Sequence, residues 1–272
     1  MTQDAIRDML LTARQQAWLA NAVYYGRVAV GALAETQRAR FRNIKVANHD
    51  IALLVFPDHV HMSIAGTNDR YDWAANTHTD FVELDGMQVH SGYADAAQWI
   101  ANELNDCNVL NLISDKRLYI GGHSAGGAIA ELLPLVDARY RPSGTYTFGS
   151  PKWCGTDSAA RYLSQPWTKM RFTMPLDPVP YLPPSLWRVL LRRPTFSHVS
   201  VGVELRDSGD WGFVDDFQLF ARIASFGYTV WSGTLATAAS LFRSHSLGLE
   251  SHGANRYVRA IELAVRKHEG AE

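Results

Sequence analysis

The pentapeptide Gly122-His123-Ser124-Ala125-Gly126 sets a hydroxyl between two glycines, a spacing that can expose a serine as a nucleophile. The apolar run Arg117-Leu118-Tyr119-Ile120 precedes it and the helix-like Ala128-Ile129-Ala130-Glu131-Leu132-Leu133 follows, so Ser124 falls on a strand-to-helix turn. This is the context of a nucleophile elbow, in which glycines two residues to either side let the chain turn tightly and lift the hydroxyl clear of a sheet. A serine there needs a base, an acid to orient the base, and donors for the oxyanion. Gly66-Thr67, at the end of the apolar run Val60 to Ala65, offers a backbone N–H and a hydroxyl at one point and is an oxyanion-hole candidate. Asp177 follows the strand-like Lys169 to Thr173 and is stiffened by Pro175, Pro178 and Pro180, which makes it the best acid candidate. Three histidines come after it, His198, His245 and His252. His198 lies in an alternating strand-like run and anchors a neighbouring loop, whereas His252 sits in a loop that opens the last helix and can swing toward both serine and acid.

These residues need a scaffold. Apolar positions at three- and four-residue steps between Asp4 and Tyr25 predict an amphipathic N-terminal packing helix, assigned to residues 1–26. Phe41 to Ala47, Ile51 to Phe56 and Val60 to Ala65 read as successive strands, with His59 and His61 on a strand surface and without the third ligand a metal would need. Asp85-Gly86 predicts a hairpin turn that ends at Val89-His90, with His90 a structural residue near the site, and a helix from about Ala94 to Leu104 follows. Gly144 to Phe148 and Lys169 to Thr173 are buried strands. Strands alternating with helices predict an α/β fold with a mainly parallel central sheet, whose ligand sits at the carboxyl ends of the strands, where Thr67, Ser124 and Asp177 all fall.

At 272 residues the chain can bury a large core, and with no visible linker it reads as a single domain, 1–272. Its 47% hydrophobic and 19% charged residues exclude disorder, and a formal net charge of −1 gives no reason to expect nucleic acid. Two cysteines, Cys107 and Cys154, make no disulfide framework; free thiols in a reducing compartment are the plainer expectation. The N-terminus shows no secretory signal, so a cytoplasmic location is the default. Between His198 and His252 aromatic residues accumulate, and Ile223 to Phe242 carry no charge. Polar Ser, Thr and Gly dilute this stretch, which favours an apolar helical insertion or cap near residues 205–247 over a membrane span.

Ala65-Gly66-Thr67, Asp72-Trp73, Val89-His90-Ser91-Gly92-Tyr93, Gly122 to Gly127, Tyr146-Thr147-Phe148-Gly149-Ser150-Pro151 and Asp177 to Pro184, in this order, resemble the class 3 lipases, α/β-hydrolases typified by fungal triacylglycerol lipases. The resemblance implies an α/β-hydrolase fold and a triad of Ser124 as nucleophile, Asp177 as acid and His252 as base, since the family's histidine has an aromatic residue five positions on, here Tyr257. It also implies an oxyanion hole from the N–H of Thr67, with its hydroxyl, and the N–H of Ala125. Ala65, Ala125 and Met174 depart from the family's usual arginine, leucine and asparagine, which bears on the acyl pocket and not on the catalytic groups.

The implied activity is carboxylic ester hydrolysis without metal or cofactor, most directly of acylglycerols. Esters that are short and soluble or of feruloyl type are the alternative, and a catalytically silent lipid-binding module is the alternative of another class. The expected partners are an ester or lipid substrate and a lipid–water interface; the oligomeric state is left open. Residues 68–79 are where fungal relatives carry a lid, and Ser185 to Arg193 mix apolar and basic side chains as an interface helix would.

Overall fold

The computed structural model describes residues 1–46, 49–66, 80–175, 177–183, 194–214 and 252–270. Helix α1 (Gln3–Ala22) starts on the Thr2 side chain, which accepts the Ala5 N–H. The expected single helix stops at Ala22: a 3-10 turn, Val23–Tyr25, and Gly26 at φ 73° redirect the chain into a second helix, α2 (Gly26–Gln37), that the periodicity did not reveal.

Eight strands form the main sheet: β1 (Arg40–Val46), β2 (His49–Val55), β3 (His59–Ile64), β6 (Arg117–His123), β7 (Gly144–Phe148), β9 (Thr168–Thr173), β11 (Val201–Leu205) and β12 (Trp211–Val214), neighbours in that order. From β3 to β11 all pairs are parallel; β1, β2 and β12 add antiparallel edges. A smaller antiparallel sheet joins β4 (Phe81–Leu84), β5 (Met87–His90), β8 (Cys154–Gly155) and β10 (Phe196–Ser197). Helices α3 (Ser91–Asp106), α4 (Ala125–Val136) and α5 (Ala254–His268) complete the described frame.

Strand alternation decides what each face meets. Ile51, Leu53 and Val55 of β2 pack with Ala97, Ile100 and Leu104 of α3 and Ile129 and Leu133 of α4, while Ala52 and Leu54 pack with Leu19 of α1 and Val30 and Ala34 of α2. Tyr146 and Phe148 of β7, Phe172 of β9 and Val203 of β11 meet Leu10 and Ala13 of α1 and Tyr257 and Ile261 of α5. The parallel strands are thus covered on both faces, the usual condition of parallel sheets.

Three expectations are corrected by this packing. His61 is not strand surface: β3 is an interior strand under α1, so His61 is buried, bonded through Nδ1 to Gln16 Oε1 at 2.9 Å and stacked on Tyr119, and burial pushes its pKa down to about 3. The run from Phe196 to Val203 is two strands in different sheets, with His198 between them. Residues 205–214, where a helical insertion was expected to begin, instead close a hairpin of β11 and β12; residues 215–251, with the rest of that insertion, lie outside the described residues. The same holds for 68–79 and 185–193. Among the described residues no helix is long and apolar enough to cross a membrane. Cys107 is exposed, Cys154 is buried, and both are free thiols.

Candidate active site

Strand β6 ends at His123, and Ser124 turns the chain into α4 with φ 59° and ψ −137°. A side chain is strained at this backbone angle, and the surrounding bonds hold it there. The Ser124 N–H donates to the Phe148 carbonyl at 2.9 Å, its own carbonyl accepts the Gly127 N–H at 2.9 Å, and the Gly149 N–H donates to Phe172 at 2.9 Å. The carboxyl ends of β6, β7 and β9 are thereby stapled side by side. The glycine spacing has a direct cause: a methyl group on Gly126 would stand 2.1 Å from the Ile64 carbonyl oxygen of β3. Without a Cβ, α4 can start hard against the neighbouring strand.

Asp177 lies just beyond β9, fully buried. Its Oδ1 accepts the Val179 N–H at 2.9 Å, which caps the turn Val179–Tyr181 built on Pro178 and Pro180. His252 Nδ1 is 2.8 Å and 2.9 Å from the two carboxylate oxygens, and the Tyr257 hydroxyl donates to Oδ2 at 2.6 Å. Two side chains and one backbone N–H therefore converge on a carboxylate that can only accept. Tyr257 remains a donor because burial, and then the neighbouring charge of Asp177, push its pKa well above the ordinary tyrosine value.

Of the three candidate histidines, His252 reaches Asp177. His198 is held elsewhere, its Nε2 2.6 Å from the Pro180 carbonyl, where burial lowers its pKa well below the usual range and keeps it neutral. It fastens the segment before β11 to the acid's loop, as the sequence led us to expect. His245 lies outside the described residues. His90 is fully buried in the smaller sheet, its ring 4.4 Å from Tyr93 and 5.4 Å from Phe196. Ser124 and His252 are 8% and 7% exposed, so both side chains are largely withdrawn from solvent.

Thr67 is outside the described residues, but Gly66 before it is not. A methyl group on Gly66 would sit 3.0 Å from Ser124 Cβ, so the chain passes beside the serine at Gly66. Ala125 opens α4, and an N–H in the first turn of a helix has no acceptor within that helix.

Three further residues belong to this constellation, none of which was given a role from the sequence. Gly149 underlies the acid–base pair, Tyr24 reaches His123 Nδ1 at 2.9 Å, and the His123 ring lies 4.4 Å from that of His252. His123 was legible only as an unspecified position between glycine and serine.

Residues 61–187 match the family described as Lipase (class 3). This segment is similar to the class 3 lipases. It carries the elbow, Asp177 and the end of β3, while His252 lies downstream of it. The fold of this segment and its flanks matches fungal lipases over most of their length. The native Rhizomucor miehei lipase propeptide complex aligns at 20% identity over 78% of this chain and 72% of that one, with a TM-score of 0.60. Lipase II from Rhizopus niveus aligns at 19% identity over 72% and 80%, with a TM-score of 0.58. A triacylglycerol lipase whose catalytic centre is formed by a serine protease triad aligns at 20% identity over 78% and 84%, with a TM-score of 0.60. A comparison with curated proteins gives no match.

Proposed function

We propose that this chain is a serine ester hydrolase of lipase type, acting on acylglycerols at a lipid–water interface through an acyl-enzyme. The observation that carries this reading is the buried Asp177–His252 pair, reached across three stapled strand ends from a serine held at φ 59° on an elbow. The fungal relatives with the same fold, one of them a triacylglycerol lipase with a serine triad, support the substrate class.

With its Nδ1–H directed at Asp177, His252 acts as base through Nε2. It takes the Ser124 proton as the oxygen attacks the ester carbonyl, and Asp177 holds the imidazole in this tautomer and stabilises the imidazolium. The N–H groups of Ala125 and Thr67 receive the oxyanion, helped by the positive end of α4. The imidazolium returns its proton to the leaving alcohol, and water activated by His252 then releases the acid.

The test is hydrolysis of p-nitrophenyl esters from acetate to palmitate by wild type, Ser124→Ala and His252→Ala, with folding checked by circular dichroism. Activity that rises toward long, aggregated esters and disappears in both folded variants supports the reading. A folded wild type that cleaves no ester of any length overturns it.

A further inference from the structure

A hydrogen-bonded chain crosses behind Ser124. The Gly66 N–H donates to Tyr24 Oη at 2.9 Å, Tyr24 Oη is 2.9 Å from His123 Nδ1, and His123 Nε2 bonds the backbone carbonyl of His252. The direction of each bond follows from chemistry. A carbonyl can only accept, so His123 Nε2 carries a hydrogen. Burial, then the neighbouring His252, hold the His123 pKa well below the usual range, so the ring is neutral and Nδ1 is an acceptor. Tyr24, whose phenol is kept protonated by burial, therefore donates to Nδ1 while its lone pair takes the Gly66 N–H. Both ring nitrogens and the Tyr24 hydroxyl are thereby used, and the His123 carbonyl is a second, longer contact of that hydroxyl at 3.5 Å.

The two ends of this chain lie in the two segments that the ester-hydrolase reading gives the oxyanion donor and the base. Gly66 leads directly into Thr67, the proposed oxyanion donor, and the His252 carbonyl belongs to the residue that carries the base. Neither segment is part of a strand at that point: β3 ends at Ile64, and His252 precedes the first residue of α5. Tyr24 itself is fixed, on the turn between α1 and α2 with buried Val23 before it. Helix α1 is in turn tied to α5 by the Trp18 Nε1–H bond to Glu262 Oε1 at 2.7 Å.

We propose that Tyr24 and His123 are positioning residues that set the oxyanion strand and the base at a fixed separation on either side of Ser124, which makes the N-terminal helix part of the catalytic apparatus. This rests on the ester-hydrolase reading. Losing the strut leaves every catalytic group in place but loosens its alignment, and misplacements near 1 Å cost about a hundredfold in rate.

The experiment measures kcat and KM separately on soluble p-nitrophenyl butyrate, with melting temperature, for wild type, Tyr24→Phe, His123→Phe and His123→Gln. Leu104→Ala, in the core on the opposite face of the sheet, is the control for lost stability alone. Tyr24→Phe lowers kcat by about ten- to a hundredfold with KM nearly unchanged, as expected for an alignment effect. His123→Gln, whose amide N–H can still reach the His252 carbonyl, retains more turnover than His123→Phe. The proposal is overturned if Tyr24→Phe keeps wild-type kcat, or if its loss is matched by Leu104→Ala at equal melting temperature. Failure of the hydrolase reading shows in the wild type, which then cleaves nothing, and takes this proposal with it.

Discussion

The Tyr257 hydroxyl donates to Asp177 Oδ2 at 2.6 Å from within the first turns of α5, the helix that the His252 loop opens. Base and acid support thus come from one short segment, five residues apart. This gives a physical reason for an aromatic residue at that place: the ring packs against Phe148, at 6.0 Å, and the hydroxyl steadies the carboxylate that steadies the base. Tyr257→Phe keeps the packing and removes the donor. We expect kcat to fall by about tenfold and stability by about 1 kcal/mol, the usual worth of one such bond. Asp177→Asn, which puts a donor where His252 needs an acceptor, should cost about four orders of magnitude. Equal losses in the two variants would contradict this ranking.

Gly149 makes a stricter demand. It sits at φ 59°, and a methyl group on it would stand 2.7 Å from Asp177 Oδ2 and 3.0 Å from the His252 ring. Gly149→Ala combines backbone strain, about 1 kcal/mol or more, with a direct push on the acid–base pair. Turnover should fall by about a hundredfold or more, while the melting temperature falls by only a few degrees. Side-by-side kcat and thermal melts check this, and full activity in the variant would place the pair farther from Gly149 than described.

The parts of the site legible in sequence were those whose constraint is local. The elbow is a constraint between residues two apart, so Gly122 and Gly126 announce Ser124. Asp177 shows itself by the prolines around it. The pairing of Asp177 with His252 spans 75 residues, and only the resemblance through Tyr257 singled His252 out from His198 and His245. Tyr24 was read as part of a helix face and His123 as part of the elbow motif, because the contact between them arises from a packing of α1 across β3 and β6 that no local pattern encodes. The same holds for His61: alternation in β3 suggested a surface face, and only the placement of α1 over an interior strand buries it. Helix α2 escaped notice because its break from α1 is a short 3-10 turn, Val23–Tyr25, and its buried face is just Val30 and Ala34.

One buried acid lies outside the site yet shares its helix. Glu131, on α4 and 2% exposed, accepts the Trp153 Nε1–H at 2.7 Å through Oε2. Burial pushes its pKa from 4.5 up to about 7, against the opposing effects of that bond and of nearby Arg171 and Lys169. In the unfolded chain the carboxyl ionises near its ordinary value, so between about 4.5 and about 7 the folded protein holds a proton that the unfolded one has released. Stability then falls as pH rises through this window and levels off above it. Glu131→Gln keeps an acceptor for Trp153 and cannot titrate. Urea midpoints measured from pH 4.5 to 8 should show the wild type losing stability relative to Glu131→Gln as pH rises, with most of the change complete by about pH 7. A difference between the two proteins that stays constant over this range would mean that Glu131 is already ionised throughout, with Arg171 and Lys169 outweighing its burial.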